Sequence, residues 1–157
     1  MFSSDFQEFL EALTRNQVDF MVIGGYAYSL HVDFRYTKDL DVWVRPTREN
    51  LERVNTAAEA FIGARFDVDD VLALLETSRL GFRLCGVEPN IIEVLLRVRG
   101  VEFEVAFARA IPVPMGEISV YVIHPHDQIA NKRAAGRSKD LIDVENLVKR
   151  YGEPPTE

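Results

Sequence analysis

Residues 24–44, GGYAYSLHVDFRYTKDLDVWV, constrain the fold of this chain more than any other segment. The segment ends in an apolar run that is interrupted by Asp39 and Asp41. If this run is a strand, Leu40 and Val42 point to one face and the two aspartates to the other, because side chains alternate along a strand. Two carboxylates on one face repel each other, and their burial is costly without a positive group between them.

The spacing of these aspartates favours a divalent cation, since Mg²⁺ takes oxygen ligands from one or two carboxylates together with substrate phosphates. Upstream, Gly24 and Gly25 follow the apolar run VDFMVI and precede a segment compatible with a helix. A glycine turn at a helix N-terminus presents N–H groups and a positive dipole end to phosphate. A lone Gly-Gly is usually only a turn, and a lone Asp-x-Asp often lies on a solvated strand face. Their combination indicates an enzyme that acts on nucleotides.

The whole pattern resembles a known family. Two glycines, a helix and Arg-x-Thr-x-Asp-x-Asp, here Arg35, Thr37, Asp39 and Asp41, resemble the minimal nucleotidyltransferases of the DNA polymerase β superfamily. The branch that it resembles most contains the abortive-infection type IV toxin nucleotidyltransferases. Downstream, PNIIEVLLRVRGVEFEVAFARA resembles the strand with the family's third carboxylate, and HPHDQIANKRAAGRSKDLIDVENL resembles its C-terminal Lys and Lys-Asp-x-x-Asp region. The resemblance covers about residues 18–148.

This resemblance implies a nucleotidyltransferase fold of the α/β (α+β) class, in which a mixed sheet of about five strands is flanked by helices. It also implies transfer of a nucleoside monophosphate from a nucleoside triphosphate to RNA, tRNA in particular, or to a protein. Two Mg²⁺ ions are the expected cofactors, with Mn²⁺ as an alternative. The toxin of a toxin–antitoxin pair is one version of this function. The alternative is a catalytically degenerate fold that serves as a binding module, an antitoxin or an accessory protein.

A two-metal site needs a third carboxylate on a neighbouring strand. Glu93 is the candidate, because it interrupts the apolar run IIEVLLRV, where an unpaired charge is costly. Asp39 and Asp41 then hold both metals, and Glu93 holds the catalytic one. The family usually has Asp here, so the longer Glu predicts a relaxed metal geometry or a weaker site. The alternative is an ion pair between Glu93 and Arg97.

Other polar residues are assigned to phosphate or to structure. Gly24 and Gly25 form the expected phosphate turn, while Arg35 and Thr37 orient the aspartates or contact phosphate. Lys132 is a candidate triphosphate ligand, because a lysine ammonium offsets the charge that develops on phosphate. The alternative is that Lys132 is a solvated residue on a helix surface.

Asp140 and Asp143 lie three residues apart and share a helix face. A structural ion-pair network, with Lys139 or Arg137 or with Arg35 across the cleft, is the preferred interpretation over metal binding. The three histidines do not form a zinc pattern; they are His31, His124 and His126.

Composition predicts one domain over residues 1–157, with 153–157 as a frayed tail. Cys85 is the only cysteine, which excludes an internal disulfide and fits a reducing cytoplasm. No signal-peptide pattern and no apolar run of about 20 residues is visible. We therefore expect a cytoplasmic location without a membrane partner.

The net charge of −7 does not favour broad binding to nucleic acid. Basic residues nevertheless concentrate in the last quarter, where Lys132, Arg133, Arg137 and Lys139 form either a basic strip that guides RNA or a merely solvated helix face. The chain leaves little room for a separate acceptor-binding domain. We therefore expect a partner chain, self-association into a homodimer, or the basic strip to select the acceptor.

Hydrophobic periodicity and turn residues predict the remaining elements. Strands are expected over 18–23, 38–44, 81–85, 91–98 and 117–123, and a turn over 86–90. Helices are expected over 3–16, 25–33, from 46–47 onward, over 68–77, from 125 to 135 and over 138–150, with Ser138 as a cap of the last. The segment VEFEVAFARA is ambiguous, and the family pattern favours a helix there.

Overall fold

The computed structural model describes residues 3–86 and 90–156. In these residues six strands form one mixed sheet with the order β3-β4-β2-β1-β6-β5. The strands are Phe20–Ile23 (β1), Asp39–Val44 (β2), Gly81–Cys85 (β3), Ile91–Leu95 (β4), Ile111–Met115 (β5) and Ile118–Val122 (β6). The helices are Ser4–Arg15 (α1), Gly24–His31 (α2), Arg48–Ile62 (α3), Val68–Ala73 (α4), Phe103–Ala108 (α5), Pro125–Ala135 (α6) and Ser138–Tyr151 (α7).

Strand β2 lies inside the sheet, antiparallel to β1 and parallel to β4. Its side chains Leu40, Val42 and Val44 are fully buried and belong to the main hydrophobic cluster. This cluster also contains the apolar stripe of α1, which Ser3 caps by accepting a hydrogen bond from the backbone N–H of Phe6 (3.2 Å). The aspartates of β2 therefore point away from the main apolar layer.

Helices α2, α6 and α7 pack around a second, smaller apolar cluster. Its buried members are Tyr28, Ile129, Val144 and Leu147. Because these helices meet beside the C-terminal end of β1 and the start of β2, residues far apart in the chain come together at a cleft. The cleft thus depends on the packing of three helices as well as on the sheet.

The predicted α/β class, with a mixed sheet flanked by helices, is confirmed. The sheet has six strands in the described residues where about five were expected, because residues 111–115, IPVPM, form the additional strand β5. Pro112 and Pro114 argue against a strand in the sequence, since proline cannot donate to a β-ladder. In the structure β5 is an edge strand that pairs with β6, where missing N–H groups are tolerated.

Smaller differences concern element ends. The segment VEFEVAFARA contains helix α5, as the family pattern predicted. Ser138, the predicted cap of the last helix, is instead its first residue, and Arg137 occupies the cap position. The Asp140 carboxylate accepts a hydrogen bond from the Arg137 backbone N–H (3.3 Å). Of the turn expected over 86–90, residues 87–89 lie outside the described part of the chain.

Within residues 3–86 and 90–156, every helix is too short or too polar to cross a membrane. The single domain and the frayed tail stay predictions.

Candidate active site

The pairing of β2 with β4 assembles the predicted carboxylates on one face of the sheet. Asp41 is the register partner of Glu93, and Asp39 precedes Asp41 by two residues on the same strand. Paired residues of adjacent strands point to the same side, so all three carboxylates share a face. Trp43 comes next on this face but is buried against the Phe103 ring, with 5.3 Å between the centroids. The face is therefore apolar at Trp43 and polar at the aspartates.

The electrostatics of Asp41 are unusual. Burial and, to a smaller extent, the nearby charges of Asp39 and Glu93 together raise the pKa of its carboxyl from 3.8 to about 7. The positive charges of Arg137 and Lys132 lower this pKa but do not offset the other causes. The site therefore carries more negative charge than its cations neutralise, which is the situation that a bound cation would relieve.

Gly24 packs its Cα directly against this carboxylate. Its backbone φ is +69°, and a Cβ on it would lie only 2.3 Å from Asp41 Oδ2. The Gly24 carbonyl accepts a hydrogen bond from Gln128 Nε2 (3.0 Å). At Gly25, a Cβ would lie 2.9 Å from Thr37 Oγ1. Both glycines thus permit the close approach of a site side chain, and their binding of phosphate stays a prediction.

A buried ion-pair network forms the opposite wall. Asp143 accepts from Arg35 Nη1 (2.7 Å) and from Lys132 Nζ (2.8 Å). The Arg35 guanidinium also lies 4.4 Å from the ring centroid of Tyr28, whose hydroxyl accepts from Asn146 Nδ2 (3.0 Å). The contact between Arg35 and Asp143 across the cleft is the one that the sequence indicated. Lys132, by contrast, is a buried ion-paired residue and not a solvated one.

Asp140 completes this network. It accepts from Arg137 Nε (2.7 Å) and lies 3.6 Å from Lys132 Nζ. Burial alone would raise the pKa of Asp140, but the hydrogen bonds and charge of Arg137, together with Lys132, lower it overall. Lys139 is exposed on the rim and forms no ion pair with any described residue.

The alternative of an ion pair between Glu93 and Arg97 is wrong. Glu93 pairs with Arg83 of the neighbouring strand β3 (3.2 Å), not with Arg97. Arg97 instead donates to the backbone carbonyls of Leu75 (3.1 Å), Thr77 and Arg79 (3.2 Å).

The predicted basic strip is also not one surface. Lys132 is buried, and Arg133 forms an exposed ion pair with Glu153 (2.8 Å). Arg137 and Lys139 remain at the cleft.

The donor chemistry of the carboxylate face fits Mg²⁺, because Asp39, Asp41 and Glu93 offer oxygen ligands and Asp41 lacks full compensation. In the described residues, however, no group of three or more acidic, His or Cys side chains is arranged closely enough to hold one ion. The ion pair of Glu93 with Arg83 engages the third carboxylate. The side-chain arrangement therefore favours the two aspartates as the principal donors.

The carboxylate face and the ion-pair network border a cleft of about 740 Å³, within the range of about 300–1,000 Å³ typical of small-molecule sites. A pocket of about 520 Å³ adjoins it at Gly24 and Asp41. The apolar lining of this pocket is Ile23, Leu80, Leu95, Val98 and Ala135. A charged cleft beside a partly apolar pocket suits a ligand with an anionic part and a ring.

The sequence did not single out three residues of the site. Tyr28, Arg83 and Gln128 contact Arg35, Glu93 and Gly24 respectively. Arg83 and Glu93 are direct partners in the antiparallel register of β3 and β4, so pairing the two strands, and not the pattern of either strand alone, identifies this contact.

The chain is similar to known proteins in both sequence and structure. The family model described as nucleotidyl transferase AbiEii toxin, type IV toxin–antitoxin system, matches residues 8–157. The chain belongs to this family. A crystal structure of an antigenic nucleotidyltransferase-like protein from Paracoccidioides brasiliensis has a TM-score of 0.50 and 15% identity, over 94% of this chain and 78% of that chain. A search of curated proteins gave no significant match.

The resemblance to the AbiEii branch is thereby confirmed, and the structural neighbour confirms the nucleotidyltransferase-like fold. Family and fold together support a nucleotidyltransferase, with a toxin of a toxin–antitoxin system as its family context.

The contact between Gly24 and Asp41 predicts unequal costs for two glycine substitutions. Gly24 and Gly63 have nearly the same backbone φ, +69° and +71°, but nothing lies within 4 Å of a Cβ at Gly63. Gly63→Ala should cost about 1–2 kcal/mol of unfolding free energy through left-handed strain alone. Gly24→Ala should cost about 1–2 kcal/mol more, since it also displaces the Asp41 carboxylate. Urea unfolding of both variants measures this difference, and equal losses would contradict the contact.

The raised pKa of Asp41 predicts that Asp41→Asn stabilises the protein in a pH-dependent manner. Between pH 3.8 and about 7 the folded state binds this proton more tightly than the unfolded state, so the wild type loses stability as pH rises through this window. The variant avoids that loss. Its gain in unfolding free energy should grow from about pH 4, level off above about pH 7, and reach at most about 4 kcal/mol.

Urea unfolding in EDTA from pH 4.5 to 8.5 tests this, with Glu145→Gln at an exposed position of α7 as the control. A gain that does not change with pH would show that the Asp41 pKa is unshifted.

Proposed function

We propose that this chain is a Mg²⁺-dependent nucleotidyltransferase that moves a nucleoside monophosphate from a nucleoside triphosphate to a hydroxyl of an acceptor. The observation that carries the proposal is the Asp41 carboxylate, whose negative charge is not fully offset by nearby positive charges. It shares one face of the sheet with Asp39 and Glu93 beside the cleft. The AbiEii family assignment supports the same reaction class. RNA, tRNA in particular, or a protein is the acceptor, and a toxin is the physiological role.

The carboxylates have a clear role in this reaction. Asp39 and Asp41 would hold Mg²⁺, or Mn²⁺ in its place, and Glu93 would contribute to a second ion after release from Arg83. When bound, the metal neutralises phosphate charge and lowers the pKa of an attacking hydroxyl. The acceptor hydroxyl releases its proton to water, its oxygen forms a bond to the α-phosphorus, the bond from that phosphorus to the bridging oxygen breaks, and pyrophosphate leaves.

The cations of the opposite wall suit the triphosphate. Lys132 is buried between Asp140 and Asp143, which fix its ammonium group beside the cleft. Arg137 reaches the same cleft with a side chain that is 65% exposed. A positive group held in position stabilises developing phosphate charge without reorganisation at the moment of reaction. Lys132 and Arg137 therefore serve as phosphate ligands, and Asp143 positions Lys132 and Arg35.

Transfer of labelled nucleotide tests the proposal. Purified protein is incubated with each labelled nucleoside triphosphate, Mg²⁺, and either total cellular RNA or protein. Asp39→Asn and Asp41→Asn should each lower labelling by about 100-fold or more, since each removes a charged donor at the reacting centre. Glu145→Gln should label like the wild type, and EDTA should abolish labelling. Equal labelling by wild type and Asp41→Asn would refute the catalytic role of this face.

A second candidate function is a degenerate nucleotidyltransferase fold that binds a partner without catalysis. It is favoured by the ion pair of Glu93 with Arg83 and by the absence, in the described residues, of three convergent metal ligands. In that case an antitoxin or accessory role would replace the toxin role.

Expression of the chain alone in a bacterial host discriminates between these roles. A toxin should arrest growth, and Asp41→Asn should relieve the arrest at equal protein level, because the variant removes a metal donor and leaves the fold intact. Harmless expression of the wild type, together with a protein that co-purifies with it, would favour the antitoxin or accessory role.

A further inference from the structure

The connection between α2 and β2 exposes two large aromatic side chains. Phe34 and Tyr36 are 68% and 67% exposed, the highest values for large hydrophobic side chains in the described residues. Burial of an aromatic side chain of this size is favourable, because it removes a large apolar surface from water. Two of them exposed within three residues therefore indicate an interaction surface more strongly than a single exposed residue would.

These aromatic side chains are held outward by the residue between them. Arg35 points inward to Asp143 and lies over the Tyr28 ring. Its backbone is also anchored, because Ser29 Oγ accepts from the Arg35 N–H and donates to the Arg35 carbonyl, both at 3.1 Å. Neighbouring side chains in an extended segment alternate sides. An inward, doubly anchored Arg35 thus places its two aromatic neighbours toward solvent.

The aromatic surface continues into the candidate active site. Tyr36 lines the same cleft as Asp39 and Asp41. Basic residues that line this cleft include Lys38, Arg83, Arg137 and Lys139. Among the described residues, the lining has six basic and five acidic side chains, whereas the whole chain has 18 Lys and Arg against 25 Asp and Glu, so positive charge is enriched at the cleft relative to the rest of the chain.

Exposed aromatic rings next to positive groups are the chemistry of single-stranded nucleic acid binding. In such proteins successive bases stack on aromatic side chains, and cations contact the phosphate backbone. A paired helix hides its bases, so such stacking requires an unpaired strand. A protein acceptor needs no such combination of stacking surfaces and phosphate-binding charges.

We propose that Phe34 and Tyr36 form a stacking platform for the unpaired end of an RNA acceptor. Bases of the acceptor stack on the two rings, its phosphates meet the basic residues that line the cleft, and its terminal hydroxyl reaches the carboxylate face. This assignment rests on the proposed nucleotidyl transfer, and it selects RNA over protein as the acceptor.

The first test is binding, which requires no catalysis. A fluorescent single-stranded oligoribonucleotide and a blunt duplex of the same sequence are titrated with protein, and anisotropy gives the affinities. Phe34→Ala and Tyr36→Ala should each weaken single-strand binding by about tenfold, and the double variant should weaken it further. Phe34→Trp should retain binding, since it keeps the stacking surface. Duplex binding should be weak and insensitive to both changes.

Tyr121→Ala is the matched control, because Tyr121 is a half-exposed tyrosine of β6 that does not line the cleft. It should leave single-strand affinity unchanged. Single-strand affinity that is equal in wild type and double variant would overturn the platform.

The second test is steady-state transfer to RNA. The double variant should raise the KM for the RNA acceptor by about tenfold or more, with the KM for the nucleoside triphosphate unchanged. A rise in the KM for the triphosphate alone would place the two rings at the nucleotide and overturn the proposal. Transfer to a protein acceptor that requires Phe34 and Tyr36 would also overturn it. If the wild-type protein transfers nucleotide to no acceptor, the proposed function is refuted. The binding measurement would still decide whether the stacking platform exists.

Discussion

The whole site depends on a carboxylate that the fold encloses without fully neutralising. Asp41 lies on β2 beside Glu93 of β4, and Gly24 closes over it from the start of α2. Enclosure of a charge is costly, and the pKa of Asp41 rises to about 7 as a result. A protein selected only for stability would place an apolar residue here. The retained charge is the feature on which the proposed metal binding rests.

The opposite wall shows the reverse situation, in which every buried charge has a partner. Asp143 is bonded to both Arg35 and Lys132, and Asp140 is bonded to Arg137. Buried ion pairs are seldom a net source of stability, because desolvation offsets much of the attraction. Their value here is positional, since they hold Lys132 at the cleft in one orientation. One wall thus lacks positive charge while the other presents it, and a triphosphate with its metal would join them.

The segment that connects α2 to β2 contributes residues to both the inside and the outside of the cleft. Arg35 ties the segment between α2 and β2 to α7, and this anchoring leaves Phe34 and Tyr36 exposed at the entrance. The proposed nucleotide site and the proposed stacking platform therefore share one short segment of the chain.

The sequence by itself determined the local chemistry: the glycine pair, the Asp39 and Asp41 strand, five of the six described strands and the family. These follow from side-chain alternation and turn residues, which are short-range properties. Tertiary structure decided which charges meet. Whether Glu93 pairs with Arg83 or Arg97, and whether Lys132 is solvated or buried, depends on strand register and helix packing between distant segments. Those long-range contacts leave no periodic trace in the sequence, because a lysine on a helix has the same local pattern whether it faces water or a buried aspartate.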